Sequence, residues 1–389
     1  MCKSSSIIVA GDLLPWNINS KLFESGDAET LFGPEVCKLF ANSDFSIVNL
    51  EGPLTNATKK QTKIGPAIKA SPKTINAVKN LGVKAVALAN NHITDYLQVG
   101  YDDTIDTLDS MGIASVGAGP NKNSIKRYIT VSIGDRKVCV YNVSETFFNV
   151  ASENSAGVNV YDEYLVCNEL KMLKQTHDYV MVIYHGGAEG LQYPTPMLRQ
   201  RFHRMADCGA DFITAQHTHC IGCEEHYNGA YLLYGQGNFS FAKELDMADM
   251  MKEGLVVEVS FDQKVELKLH KVRMTSDGCI HYAEDQSIHD LQTRSQRIDD
   301  EAFITEQYKA FKSDELVNTY LLAYKGHTFC QGLLQRFFAK RYLYNIQHSY
   351  SKNQIMRNMF AIQSDRINED MLYVWLRVLD GVNSQNNQD

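Results

Sequence analysis

The sequence predicts an α/β protein built on a layered sheet and followed by a mostly helical region. Short β-rich runs alternate with segments whose apolar residues recur every three or four positions. After about Glu284 the strand signals stop and helical spacing takes over. The 389 residues, 44% of them hydrophobic, supply enough material for a sizeable core, and the change of character divides the chain into 1–284 and 285–389.

In chain order the strand candidates are 6–10, 45–50, 85–89, 129–133, 138–142, 179–184 and 211–215, short runs that, apart from the alanine-rich 85–89, carry Val, Ile, Phe or Tyr. The later runs 230–234, 254–261 and 265–272 are separated by turn-sized or modest gaps, which gives them antiparallel character. Segments 72–81, 100–111, 161–176 and 196–208 carry apolar residues at helical intervals and are expected to pack on the sheet. Beyond 284, runs such as 302–324 and 371–379 have helical spacing, and the polar tail 383–389 is expected to fray. No internal repeat is visible.

A net charge of -8 argues against a nucleic-acid binder held by a basic surface. Nine cysteines, an odd and scattered set, do not form the paired framework of a small secreted scaffold. Reduced thiols and a cytoplasmic location are therefore expected. The first six residues run directly into Ile7-Ile8-Val9, which reads as a first strand rather than a secretory segment. No apolar stretch approaches the roughly 18 residues that span a bilayer, so no membrane span is expected.

The chemistry gathers at strand exits. In an α/β sheet the carboxyl ends of strands open into a crevice, so residues just past an apolar run face a common site. Asp12 follows 7–11, Glu51 follows 47–50, Asn91 and His92 follow 86–89, His185 follows 180–184, and His217 with His219 follows 212–215. Glu189 stands four residues beyond His185. Carboxylate, amide and imidazole donors carried on a rigid sheet are what a divalent metal requires, and we read the chain as a metal-dependent enzyme. Taken singly, Asp12 also reads as a turn or N-cap residue, Glu51 as a loop carboxylate, and Asn91-His92 as a helix cap with Asp95 as a first-turn acid. The His217-Thr218-His219 spacing is the sharpest signal, since residues i and i+2 of an extended segment lie on one side. Cys220 and Cys223 form a CxxC with no second pair elsewhere, so a zinc knuckle would have to borrow the two histidines.

Several stretches together carry a family resemblance: Gly11-Asp12; Asn49-Leu50-Glu51-Gly52-Pro53-Leu54; Ala89-Asn90-Asn91-His92 with Asp95-Tyr96; His185-Gly186-Gly187-Ala188-Glu189 with Tyr193-Pro194; Gly209-Ala210-Asp211; His217-Thr218-His219; and Tyr234 leading to Gly237-Asn238-Phe239. Over roughly 6–272 the chain resembles capsule biosynthesis proteins of the CapA type, also called poly-gamma-glutamate synthesis proteins, which belong with the calcineurin-like metallophosphoesterases. The resemblance implies a layered α/β/β/α sandwich holding two divalent ions, with Mn, Fe and Zn all suited to mixed nitrogen and oxygen donors. By that likeness Asp12 would hold one metal, Glu51 would bridge, Asn91 would ligate the second, and His185, His217 and His219 would complete both spheres. His92 would be a proton donor or charge stabiliser, and Glu189 a ligand or general base.

Position 14 is leucine where the superfamily normally has histidine, Gln216 replaces a glycine, and Gly222 a glutamine. Lys63 and Lys69 lie where the family usually has a basic residue, either meeting a substrate anion or solvated at the surface. The function implied is a metal-dependent hydrolase of phosphoesterase type, acting on a small molecule or polymer in capsule or surface-polymer biosynthesis. Two alternatives stay open: an amide-bond enzyme acting on a gamma-glutamyl polymer or peptide, and a non-catalytic assembly factor with a capsule-synthesis protein as partner.

Overall fold

Four apolar runs in the first third of the chain become the parallel strands of one sheet: β1 (Ser6–Leu14), β2 (Phe45–Leu50), β3 (Ala85–Ala87) and β4 (Ala114–Val116). The computed structural model describes residues 5–311 other than 16, 64, 148, 242–247, 262–264 and 284–285. Between these strands run α1 (Ser20–Ser25), α2 (Ala28–Asn42), α3 (Ile75–Leu81) and α4 (Leu97–Ser110). The short β5 (Ala118–Gly119) pairs later with β8 (Gly157–Val158). A second sheet follows from β6 (Tyr128–Ile133), β7 (Arg136–Ser144), β9 (Tyr179–His185), β10 (Phe212–Gln216), β11 (Glu224–Tyr227) and β12 (Ala230–Leu233). Its order is β11-β12-β10-β9-β7-β6, with β12, β10, β9 and β7 parallel and covered by α5 (Glu163–Lys174) and α6 (Pro196–Asp207). The chain then returns to the first sheet through β13 (Asn238–Phe241), β14 (Glu253–Ser260), β15 (Glu266–Met274) and β16 (Ile280–Tyr282).

Alternation along the strands makes the layers. Ile7 and Val9 of β1 pack between the sheets against Met181 and Ile183 of β9 and Phe212 of β10. Ile8 and Ala10 face the other way, against Phe32 of α2 and Val78 of α3. In the second sheet Val180, Val182 and Tyr184 face Val166 and Leu170 of α5 and Phe202 and Met205 of α6. Central strands buried on both faces need apolar residues at every position, which is why they read as continuous runs. The result is the α/β/β/α sandwich, with three apolar layers between four layers of structure.

Helix starts follow local chemistry. Asp162 caps α5 by accepting from Leu165 N, and Thr195 caps α6 by accepting from Leu198 N with Pro196 in the first turn. Buried positions 166, 167, 170 and 173 of α5 keep the expected three-to-four spacing. Sequence reading missed α1 and α2. In α2, Gly33 at φ 72° followed by Pro34 kinks the helix and breaks the apolar period that would have announced it. Strands β4, β11, β13 and β16, three or four residues each, were too short to register. The antiparallel character expected of 230–234 holds toward β11, whereas β12 runs parallel to β10.

The chain divides into two compact units, Met1–Lys309 and Ala310–Asp389. The first contains α7 (Gln286–Ser295) and the body of α8 (Glu301–Phe311). Leu291 joins the layer between the sheets, and Ile298 and Ile304 join the layer under α5 and α6. The helical run expected at 371–379, and most of that at 302–324, lie outside the described residues. Among the described residues no helix is long and apolar enough to cross a membrane.

One irregularity positions the site. β1 pairs with β14 through residues 6–10 and with β13 through 12–14, and its register against β2 slips between Ala10 and Asp12. Gly11 is the bulge at this change of partner, and a Cβ there would lie 2.1 Å from Gly237 O. That carbonyl accepts from Asp12 N, so it cannot swing away without breaking the β1–β13 junction. Gly11→Ala is expected to destabilise the protein by about 1–3 kcal/mol, as overpacking does. Urea unfolding checks this; a loss within error of zero would show that the bulge tolerates a side chain.

Candidate metal centre

The carboxyl ends of both sheets open at one end of the sandwich, and the predicted site residues meet there. Glu51 is the first residue after β2, and His217 and His219 lie just beyond β10. Two placements differ from the strand-exit reading: Asp12 lies inside β1, immediately after the Gly11 bulge, and His185 is the last residue of β9. The bulge, not the end of the strand, re-aims Asp12. His217 and His219 adopt φ of 86° and 53°, left-handed values that cost non-glycine residues on the order of 1–3 kcal/mol each. That strain brings both imidazoles to the centre.

Glu51 is the hub. Its carboxylate is completely buried, and neither oxygen has a hydrogen-bond partner. Around it stand His185 Nε2 at 3.7 Å and His219 Nε2 at 3.7 Å from Oε1. His219 Nδ1 lies 3.4 Å from Asp12 Oδ2. Two donors sharing one tetrahedral ion at about 2.1 Å stand about 3.4 Å apart, so the two Nε2–Oε1 separations suit a common cation better than direct hydrogen bonds. The donor atoms of Glu51, His185 and His217 lie within 4.8 Å of one another, as do those of Asp12, Glu51 and His219. Asn91 joins the first trio, its Oδ1 2.9 Å from His185 Nε2. His217 Nδ1 is likewise buried without a partner. A buried carboxylate with two unpartnered oxygens, facing three imidazoles and an amide oxygen, fits a divalent metal.

Neutral amides orient these candidate donors. Register places Asn49 of β2 and Asn238 of β13 on either side of Asp12. Asn49 Nδ2 donates to Asp12 Oδ1 at 2.7 Å and lies 3.3 Å from His185 Nδ1, while its Oδ1 accepts from Asn90 Nδ2 at 3.1 Å. Asn238 Nδ2 donates to Met251 O, which leaves Oδ1 to accept from His219 Nδ1 at 2.8 Å. The proton is thereby held on Nδ1 and the Nε2 lone pair points to Glu51, an arrangement common behind metal-binding histidines. Asn149 donates to Asn90 O and steadies the Asn90-Asn91 turn.

His92 sits beside the ligands in a separate chain of contacts. Its Nδ1 is 2.6 Å from Asp95 Oδ2, and Lys63 Nζ donates to Asp95 Oδ1 at 2.5 Å and to Asn91 O at 2.9 Å. The Lys63 side chain is 4% exposed, so it is not a solvated surface lysine: it is a buried counter-charge for Asp95. Lys69 donates to Ala57 O and lies over the Tyr96 ring. Leu14 turns into the layer under α1–α4 and packs on Gly52. Glu189, unlike the other donors, is 58% exposed, its Oε1 3.8 Å from His217 Nε2.

Burial governs the electrostatics. It pushes Glu51 well above the usual carboxylate range, with the charges of Asp12 and Glu189 adding to the rise. It raises Asp12 too, against the opposing pull of His219 and of hydrogen bonds from His217 N and Asn49. His185 and His217 are held well below the ordinary imidazole value by burial first and by neighbouring histidines second, so both are neutral with lone pairs to give. His92 is lowered by burial, partly offset by Asp95. Cys220 and Cys223 are buried thiols pushed up to about 11 and about 12 by burial, and among the described residues no candidate metal group contains a cysteine. The zinc-knuckle reading is therefore set aside.

Sequence reasoning did not assign Asn49, Asn90, Asn238 or the Lys63–Asp95 pair. Asn49, Asn90 and Asn238 all stood inside the motifs, next to the residues singled out, and the signal was their being amides beside acids and imidazoles.

The family model for bacterial capsule synthesis proteins, PGA_cap, matches residues 6–243. The PGA biosynthesis protein CapA of Bacillus subtilis (strain 168) is 28% identical over 239 residues, covering 59% of this chain and 62% of that protein. A Mycobacterium tuberculosis protein (strain CDC 1551 / Oshkosh), described as a probable polyglutamine synthesis accessory protein, is 28% identical over 211 residues, covering 50% of this chain and 55% of the other. The chain thus spans between half and two thirds of the length of these curated relatives. Among solved structures, a phosphatase from Mycoplasma pneumoniae aligns with a TM-score of 0.44 at 16% identity, covering 70% of this chain and 95% of that one. The match of the family model to well over half of its length places this chain in the bacterial capsule synthesis protein family.

Proposed function

We propose that this chain is a metal-dependent hydrolase of the phosphoesterase type, serving the synthesis of capsule or another surface polymer. The observation that carries the reading is the Glu51 carboxylate, buried without a hydrogen-bond partner among three imidazoles and Asn91. When bound, a pair of divalent ions would lower the pKa of a water between them and neutralise charge on the group under attack. Asp12, Glu51, Asn91, His185, His217 and His219 would hold the ions. His92 keeps Nδ1 against Asp95, which leaves Nε2 to hold or deliver a proton to the leaving group. Lys63 and Asp95 fix the plane of that imidazole. A polymer synthase or other capsule-synthesis protein is the partner we propose, and the free thiols among the described residues favour a cytoplasmic setting.

The same donors suit attack on a carbonyl, so a gamma-glutamyl amide is the alternative substrate. The description of the Mycobacterium relative favours a further reading, an accessory role without turnover. Assay of bis(p-nitrophenyl) phosphate against a gamma-glutamyl p-nitroanilide, with Mn²⁺ present, separates the three. Turnover of the phosphodiester supports the proposal; turnover of the amide alone, or of neither, overturns it.

His219→Ala is expected to lower kcat/KM for the preferred substrate by at least ~100-fold, beyond the usual cost of losing an outer partner, while leaving urea unfolding of the chelator-treated protein nearly unchanged. Activity surviving that change would remove His219 from the centre. For Glu51→Gln the sign depends on metal. Without metal, the folded protein holds the Glu51 proton more tightly than the unfolded chain does, so wild-type stability falls as pH rises through and above the ordinary carboxylate range. In chelator the variant should therefore be the more stable protein, by roughly 1–3 kcal/mol at pH 8, and in Mn²⁺ the less stable one. Thermal unfolding in both conditions reads this directly, and the same order in both would mean that Glu51 binds no ion.

A further inference from the structure

The two cation positions are not equivalent in their donors. The first has four protein donors, Glu51, Asn91 Oδ1, His185 and the unpartnered His217 Nδ1, all but Asn91 on buried residues, at the ends of β2 and β9 and beyond β3 and β10. The second has Asp12, Glu51 and His219. Its Asp12 is already engaged at both oxygens, Oδ1 by Asn49 and Oδ2 by His217 N at 2.9 Å. Residue 14 gives it nothing, since Leu14 is fully buried in the layer under α1–α4. Three protein donors and the water of a catalytic position would fill a tetrahedron, whereas Mn²⁺ takes six donors and leaves room for a further oxygen.

We infer that Glu189 is this further donor, a ligand of the second cation supplied by an exposed loop, and that the second cation consequently binds more weakly and exchanges more readily than the first. Its carboxylate and the donor atoms of His217 and His219 lie within 4.8 Å of one another, so that it meets the second position through His219 rather than through Asp12 or Glu51, and it is the one carboxylate of the described metal groups that is not buried. A 58% exposed side chain must give up rotamer freedom to ligate, a cost of about 1–2 kcal/mol that the buried donors have met on folding. Glu189 adds negative charge where Asp12 and Glu51 already repel one another, and a second divalent ion is what offsets the crowding of three acids. This rests on the metal-centre reading above and narrows Glu189 from ligand or general base to ligand.

Calorimetric titration of the chelator-stripped full chain with Mn²⁺ tests it, with electron paramagnetic resonance reporting whether two ions are close. Wild type should bind two Mn²⁺, the second at least tenfold more weakly than the first. Glu189→Gln should weaken the second step a further tenfold or more and leave the first within twofold. Glu189→His, which keeps a donor, should retain most of the second step. Two ions unaffected by Glu189→Gln, or both steps weakened alike, would overturn the assignment while leaving the metal centre intact. Absence of Mn²⁺ binding by wild type would overturn the centre itself and this inference with it. Because Glu189 is exposed, circular dichroism of both variants should match wild type.

Discussion

A carboxylate sealed between two sheets with nothing to bond to is the constraint around which this molecule is arranged. Leaving Glu51 in that state costs several kcal/mol unless a cation joins it, and the surrounding groups are those that would bring one in. The imidazoles of His185 and His217 are neutral because they are buried, and they are buried because the two sheets close over them. The feature that destabilises the metal-free chain is therefore the one that would give the metal its affinity.

Holding six donors at that point requires backbone irregularity within an otherwise regular sandwich. β1 changes neighbours at Gly11, leaving β14 for β13, and where it does so Gln236 donates to Val9 O and Gln216 to Ala10 O. Those two side chains satisfy carbonyls near the bulge and link the sheets across the apolar layer. Gln216, which replaces an expected glycine, thus has a structural use in this chain. Similarly, left-handed backbone at His217 and His219 is tolerated because the flanking strands are fully buried and over-determine the turn.

The asparagines show how orientation is achieved without extra charge. Asn49, Asn90 and Asn238 form a scaffold of amide dipoles whose directions are fixed by backbone carbonyls and by one another. A carboxylate in any of these places would add a third or fourth buried anion beside Asp12 and Glu51, and a lysine would compete with the metal. Only one cationic amine is near, that of Lys63 among the described residues, and it is neutralised by Asp95 behind His92. The centre is left with the net negative charge that a pair of divalent ions would balance.

Much of the fold was legible in the chain, because strands buried on both faces must be largely apolar, as 179–184 is throughout and 212–215 is but for Thr214, and capped helices such as α5 and α6 announce their starts. α2 was illegible because Gly33-Pro34 interrupts its period, and β13 because four residues carry too little pattern. Ligand types at strand ends were likewise visible, since Glu51, Asn91, His185, His217 and His219 follow apolar runs and chemistry restricts which side chains bind hard or borderline cations. Sequence by itself thus determined the layers and the kinds of donor. Tertiary structure alone decided which donors stand together, that Leu14 turns away from them, that Lys63 is interior, and that Asn49 and Asn238 flank Asp12. Those are matters of strand register and of a bulge at one glycine, set by pairing between segments more than two hundred residues apart, and no local pattern encodes such distances.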